Sequence, residues 1–334
     1  MTNKNSAEFS TKLPIKVGIV GTGYVAQRRA EALRSDDRAQ LLCASGNTPE
    51  NLIAFCETNS LSPVESWQKL VNQPDLDLVI ISNINRDRAA IVRAVLESSK
   101  HAIVEYPLAL NPTEAEELIN LAKTKGKLLH VEHIELLGGL HQAMGQYLPE
   151  IGNVFYARYA TIKSQRPAPL HWNYNYQMCG FPLTAALSRI HRFTDLFGTV
   201  TSVACQSRFW DAPESGYYIA CLCNAQLRFN SGLIADITYG KGEVFWQNCR
   251  HFEIHGDRGT LIFEGEKGTL VREKEKIPLE VGSRRGLLAK DTKLVLDRLE
   301  TGQPLYVTPT ASLYALKVAD AADRAARTGT IVKF

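Results

Sequence analysis

The sequence predicts an α/β protein in two parts. An N-terminal Rossmann domain, a doubly wound parallel sheet, precedes an α+β domain on a large, mostly antiparallel open sheet. Three observations predict this. A β-branched run at residues 16–20 leads straight into Gly21-Thr22-Gly23-Tyr24-Val25-Ala26, a G-x-G-x-x-A between a strand and a helix. Apolar strands then alternate with amphipathic helices up to residue 132. From Val154 the pattern changes to strands joined by short turns. The expected division is a frayed leader at 1–13, a dinucleotide-binding domain at 14–132 and a substrate domain at 133–334. The last helix is expected to pack back on the first domain.

In the glycine loop, Gly21 allows the tight turn, Gly23 lets a pyrophosphate approach the backbone, and Ala26 lets the helix pack close to the sheet. The helix at 25–34, opened by Tyr24 and Val25, aims free N–H groups at the phosphates. The next strand, 40–44, ends in Ser45-Gly46-Asn47, with no acid before Glu50. An NAD site ordinarily places an acid there for the ribose 2′-hydroxyl. Its absence favours NADPH, with NADH as the weaker cofactor. Residues 76–82 form a buried parallel strand whose end, Ser82 and Asn83, should line the cofactor site. The strand at 102–105 ends in Glu105-Tyr106-Pro107. The helix after it has Asn111 as N-cap, Pro112 at N1 and Glu114 at N3, and stops at Gly126. A strand at 128–132 closes the domain.

The second half reads as strands at 154–164, 200–209, 217–229, 233–239, 250–254 and 260–263. Hairpin turns are expected at Asn230-Ser231-Gly232 and at 256–259. Helical patterns cover 185–196, 287–299 and 313–326.

Composition narrows the function. The 334 residues carry 38 Lys and Arg against 35 Asp and Glu, a net charge of +3. That is too balanced to draw nucleic acid or an anionic membrane. No basic stripe with interleaved aromatics is present. The leader lacks the apolar run of a signal peptide, and no apolar stretch is long enough to span a membrane. Seven scattered cysteines read as reduced thiols, including the C-x-C at Cys221 and Cys223. His130, Glu132, His133 and Glu135 are weighed as a metal set and rejected in favour of a polar network. The expectation is a cytoplasmic protein, monomer or homodimer, without metal, nucleic-acid or membrane partners.

The glycine loop, the strand end Val104-Glu105-Tyr106-Pro107 and the hairpin Gly256…Gly259-Thr260-Leu261 resemble the glucose–fructose oxidoreductase and inositol dehydrogenase family. Within it, VEYPLAL (104–110), HVEHIELL (130–137) and GFPLTAALSRIHRFTDLFG (180–198) are similar to the biliverdin reductases of the bacterial, phycobilin-associated type. Sugar-oxidising relatives carry a catalytic lysine where Tyr106 stands. Their histidine at the start of the helix after the fourth strand aligns with Arg88, and their H-x-x-D pattern aligns loosely with Ser188 and His191. A sugar dehydrogenase without its lysine base is handicapped, whereas reduction of a bilin has no alcohol to deprotonate.

The resemblance implies NADPH-dependent hydride transfer to the central methine (C10) of biliverdin IXα, giving bilirubin. The alternatives are a sugar or imine oxidoreductase of the same superfamily and a non-catalytic nucleotide sensor. It implies Arg189 as the first catalytic residue, placing substrate, orienting a water or stabilising charge near the pyrrole nitrogens; the competing role is a structural salt bridge. Arg192, three residues on, is either a propionate ligand or a solvated surface charge. Tyr106 offers a hydroxyl for the substrate or an aromatic wall. Glu105 stands by the nicotinamide ribose or amide and the substrate, the competing role being structural support, and His133 joins a polar network near the cleft.

Overall fold

The computed structural model describes residues 12–334, so most of the leader expected at 1–13 lies outside the described residues. The described chain forms two compact units. The first runs up to Ile134 and takes in Gly286–Leu313; the second comprises Glu135–Arg285 and Tyr314–Phe334.

In the first unit the elements are β1 (Ile15–Val20), α1 (Tyr24–Arg34), β2 (Ala39–Ser45), α2 (Pro49–Asn59), β3 (Ser62–Pro63), α3 (Trp67–Val71), β4 (Leu78–Ile81), α4 (Arg88–Glu97), β5 (His101–Glu105), α5 (Pro112–Thr124) and β6 (Leu129–Glu132). The strands pair in the order β3-β2-β1-β4-β5-β6, all parallel. β4 and β5 are buried along their whole length, as parallel strands covered on both faces must be. The start of α5 is set locally: the Asn111 side chain accepts from the Thr113 N–H at 2.8 Å, and Pro112 opens the helix.

The second unit begins with α6 (Gly139–Tyr147), β7 (Val154–Ser164), α7 (Tyr176–Cys179), α8 (Pro182–Ala185) and α9 (Ser188–Phe197). β8 (Val200–Asp211), β9 (Tyr218–Phe229), β10 (Ile234–Gly242), β11 (Cys249–Gly256), β12 (Gly259–Glu264), β13 (Lys267–Arg272) and β14 (Glu275–Leu279) follow. Two helices, α10 (Leu287–Thr301) and α11 (Pro309–Thr328), and the short β15 (Val332–Lys333) complete the chain. α10 belongs to the first unit, where Val295, Leu296 and Leu299 share a core with Ala26, Ala30 and Leu33 of α1.

The nine strands run β14-β13-β12-β11-β7-β10-β9-β8-β15. The sheet is antiparallel except for β7 with β10. Those two lie parallel because the long stretch carrying α7, α8 and α9 crosses over to β8 before the chain meanders back. Two expectations are corrected here. The helix expected at 185–196 is α9, which starts only at Ser188; the short α8 ends at Ala185, and Ala186 and Leu187 separate the two. The hairpin β13–β14 was not anticipated, because its charge-rich strands lack apolar alternation; charge is how exposed sheet edges resist pairing. Side chains alternate across the sheet: Cys221, Cys223, Ala225 and Leu227 are buried, while Asn224, Gln226 and Arg228 are exposed. No helix among the described residues is long and apolar enough to cross a membrane.

Candidate active site

The glycine loop is built by close approach. Gly21 has φ +118°, and a Cβ there would stand 2.4 Å from the Ser82 carbonyl oxygen. The loop is tied to both neighbouring strands, Gly21 N–H to Ser45 C=O at 2.8 Å and Ser82 N–H to Val20 C=O at 2.8 Å. Gly46 lies against Thr22, where a Cβ would meet Thr22 Cγ2 at 2.8 Å. Gly23, the N-cap of α1, differs: a Cβ there would meet nothing within 4 Å. Open space at a helix start, beside N–H groups without intrahelical partners, is what a phosphate requires. Tyr24 is exposed, Val25 half-buried and Ala26 buried against the core. Ser45 Oγ, Ser82 Oγ and Asn83 Oδ1 are buried without a hydrogen-bond partner among the described residues. Asn47 is exposed. Orphaned polar atoms around an open glycine fit a dinucleotide, which would satisfy them.

Arg88 holds the strand ends that flank this loop. Its Nε and Nη2 donate to the Asn83 carbonyl at 3.1 and 2.9 Å, and its Nη1 donates to the Tyr106 and Pro107 carbonyls. One buried guanidinium therefore ties the ends of β4 and β5 together. Beside it, the Tyr106 ring stacks on His133, with centroids 5.1 Å apart and planes 9° from parallel. His133 is held in turn: its Nε2 and Ser312 Oγ are 2.8 Å apart, and its N–H donates to Tyr306 Oη at 3.0 Å.

Beneath these strand ends lies a buried charge network. Arg29 of α1 is fully buried and donates to Asp291, to Thr292 Oγ1 at 3.0 Å and to Glu105 Oε1 at 3.2 Å. Asp291 also receives His130 Nε2 and Tyr306 Oη, each at 2.7 Å. Burial alone would raise the Asp291 carboxyl, but Arg29 and His130 hold it well below the usual range. Glu132 faces the opposite balance. Burial, then the charge and hydrogen bond of Glu105, push it well above an ordinary carboxyl. The β5–β6 register pairs Glu105 with Glu132, so the two carboxyls face each other from neighbouring strands.

In the second unit Arg189 is half-buried on α9. Its Nη1 donates to Ser188 Oγ at 2.9 Å and its Nε to Thr161 Oγ1 at 3.3 Å, and its guanidinium lies 5.5 Å from the Tyr239 ring centroid. Tyr239 joins an aromatic cluster with Tyr174, Tyr176, Phe209 and Tyr218. Burial pushes His191 down to about 4, so it is a neutral ring near pH 7. Arg192 is 1% exposed and donates to Glu135 Oε2 at 3.1 Å, which excludes the solvated-surface reading.

Within the first unit the structure places Gly21, Gly23, Ser45, Ser82, Asn83, Glu105, Tyr106 and His133 at or just after the carboxyl ends of the parallel strands. Within the second it places Arg189 and Arg192 on one helix. Glu105 and His133 are turned inward, toward Arg29 and Ser312. The sequence reading missed Asp291 and Tyr306 and gave Arg88 no role; it took Arg29, with Arg28, as an aid to the 2′-phosphate or a solvated helix charge, whereas Arg29 is fully buried and bound to Asp291 and Glu105. A buried arginine on a helix facing the sheet was the available signal for Arg29; Asp291 left none.

Two family descriptions match the chain: the oxidoreductase family with an NAD-binding Rossmann fold over residues 15–133, and its C-terminal alpha/beta domain over 149–334. The crystal structure of a biliverdin reductase from Synechocystis sp. PCC 6803, in complex with biliverdin and NADP+, superposes with a TM-score of 0.92. It is 58% identical and covers 93% of this chain and 99% of its own. Biliverdin reductase A from Homo sapiens is 27% identical over 294 residues, 85% of each chain; that from Mus musculus is 25% identical over 301 residues, 87% of this chain and 88% of its own. With its glycine loop, its Tyr106 strand end and its nine-stranded sheet, this chain belongs to that oxidoreductase family and, within it, to the biliverdin reductases.

Proposed function

We propose that this protein reduces biliverdin IXα to bilirubin with NADPH. The observation that carries the reading is the full-length likeness to the Synechocystis enzyme, whose structure contains biliverdin and NADP+. Tyr106 supports it by standing where sugar-oxidising relatives need a lysine base.

Bound NADPH supplies the hydride that reaches C10 of the pigment. Gly21, Gly23, Tyr24, Val25 and Ala26 seat the pyrophosphate at the start of α1. Ser45, Gly46 and Asn47 receive the adenosine ribose and its 2′-phosphate without a repelling carboxylate. Ser82, Asn83 and the Glu105 strand end hold the nicotinamide half. Tyr106 presents its ring to the pigment, and His133 fixes that ring from behind, so His133 is a positioning residue. Arg189, held by Ser188 and Thr161, stabilises the charge that reaches the pigment nitrogens. A guanidinium is a poor acid, so Arg189 orients the proton source rather than releasing its own proton. Arg192 is likewise a positioning residue that anchors Glu135. The first unit serves the nucleotide and the second the pigment, in the cytoplasm, as a monomer or homodimer without nucleic-acid or membrane partners.

The test is absorbance. Protein, biliverdin IXα and NADPH are mixed, and the green long-wavelength band should fall as the yellow band of bilirubin rises. Arg189→Ala should cut turnover roughly a hundredfold, the scale of one lost transition-state donor, with NADPH affinity kept. Bound NADPH with no colour change would overturn the reading and return the substrate to sugars or imines.

A further inference from the structure

The β4–β5 register runs from Leu78 with His101 to Ile81 with Val104 and stops there. Beyond it the two chains carry groups assigned to the reaction, Ser82 and Asn83 on one and Glu105 and Tyr106 on the other. Arg88 takes over where the ladder ends. Its Nε and Nη2 donate to the Asn83 carbonyl at 3.1 and 2.9 Å, and its Nη1 donates to the Tyr106 carbonyl and, at 3.4 Å, to that of Pro107. A planar guanidinium can hold two strand ends at once in this way; an ammonium on a flexible stem cannot.

The position is unfavourable for a cation. Arg88 is 6% exposed and is the first residue of α4, at the positive end of the helix dipole. Burial and dipole both oppose a charge there, and the bonds to the strand ends must offset both. The strands themselves are paired and buried without it, so what the fork adds is order at their ends. The Asn83 end carries Ser82 Oγ and Asn83 Oδ1, both buried without a partner among the described residues. The Tyr106 end carries the ring that stacks on His133. One guanidinium thus fixes the end assigned to the cofactor against the end assigned to the pigment.

We infer that Arg88 is a positioning residue for hydride transfer: it sets the distance between the nicotinamide held at Ser82 and Asn83 and the pigment held against Tyr106. This rests on the reading of the protein as a biliverdin reductase. A shift of the reacting atoms by about 1 Å costs on the order of a hundredfold in rate. Loss of the fork should therefore appear in the hydride step and not in the affinity for either partner.

The experiment is single-turnover absorbance of the full-length protein at saturating NADPH and biliverdin, beside Tm and the two Kd values. Arg88→Lys keeps the charge without the fork, and Arg88→Gln keeps an amide donor without the charge. Both should slow the colour change about ten- to a hundredfold, with each Kd within about threefold of wild type. Deuterium at the transferred position of NADPH should slow the variants at least as much as the wild type, which marks hydride transfer as the step lost. In a Tyr106→Ala background, where the wall is gone, Arg88→Lys should cost less than about threefold more, the non-additivity of residues that act together. Arg86→Gln, at an exposed neighbour, should match the wild type. Strictly additive losses overturn the inference. So does a lower Tm with an unchanged rate, or loss of NADPH or pigment binding in both variants, for then Arg88 supports the fold only. A slow Arg88→Gln beside a fast Arg88→Lys also overturns it, because charge and not the fork is then at work. Variants that slow without an isotope effect place the loss in another step and overturn it as well. Wild-type turnover with unaltered variants overturns this inference alone, whereas wild-type protein that binds both partners without a colour change overturns the proposed function and this inference together.

Discussion

Tyr106 lies flat on His133, with ring centroids 5.1 Å apart and planes 9° from parallel. The strand-end tyrosine is thus held by its face, while Arg88 holds its carbonyl. A ring fixed in this way serves as a wall. Tyr106→Phe should keep the stack and retain turnover within about threefold, whereas Tyr106→Ala should cut kcat/KM about tenfold or more, a loss of the order expected for an aromatic contact. His133→Ala should fall between them, mainly in KM. If Tyr106→Phe is as damaging as Tyr106→Ala in steady-state kinetics, the hydroxyl is the working group and the wall is not.

Gly21 and Gly23 should fail differently. Alanine at Gly21 must adopt φ +118° with its Cβ 2.4 Å from a carbonyl oxygen, so Gly21→Ala should lower Tm and abolish NADPH binding. Backbone strain of this kind costs about 1–3 kcal/mol before the clash is counted. Gly23→Ala meets nothing within 4 Å, so its Tm without nucleotide should match the wild type. Its NADPH affinity should drop about tenfold or more, because the methyl group takes the space a phosphate needs. Calorimetry with and without NADPH checks both, and a Gly23→Ala protein that binds NADPH normally would move the phosphate elsewhere.

Cofactor choice should turn on the loop after β2. Ser45 is buried, so an aspartate there would combine repulsion of the 2′-phosphate with the cost of burying a charge. Asn47 is exposed and separates the two effects. Asn47→Asp should weaken NADPH about tenfold while barely changing NADH, the scale of one like-charge contact near a protein surface. Equal changes in both Kd values would show that the 2′-phosphate does not lie beside this loop.

Stability should depend on pH through Glu132. Its folded-state pKa is raised, chiefly by burial and then by Glu105, so the folded protein binds that proton more tightly than the unfolded chain. The stability it lends is complete below the ordinary carboxyl pKa and is lost as pH rises through the raised one. Glu132→Gln mimics the protonated acid, so the fall in Tm as pH rises above the ordinary carboxyl range should be smaller in the variant. Each kcal/mol should appear as roughly 2–4 °C in a chain of this size. Identical pH slopes for variant and wild type would mean that Glu132 is ionised in the fold.

Much of the architecture was legible because its signals are local. The glycine loop, the Asn111 cap with Pro112, and the buried runs of β4 and β5 each declare themselves within a few residues. The change to a strand pattern at Val154 announced the second unit and the start of β7. The break between α8 and α9 was less legible, since both halves carry one helical stripe. The pairing of β7 with β10 needed knowledge of where the crossover lands. The candidate site divided in the same way: residues at strand ends after recognisable strands were found, and those placed by distant partners were not.

The sequence by itself determined the order of strands and helices, the phosphate loop, the lack of an acid after β2 and the replacement of a lysine by Tyr106. Tertiary structure alone decided that Arg29 meets Asp291 across 262 residues of chain, that Arg192 is interior, and that Glu135 gathers arginines 57 and 149 residues away. Periodicity and caps are written at spacings of two to four residues, and local backbone geometry enforces them. A buried ion pair has no fixed spacing, because its partners are brought together only when the sheets and helices around them have packed.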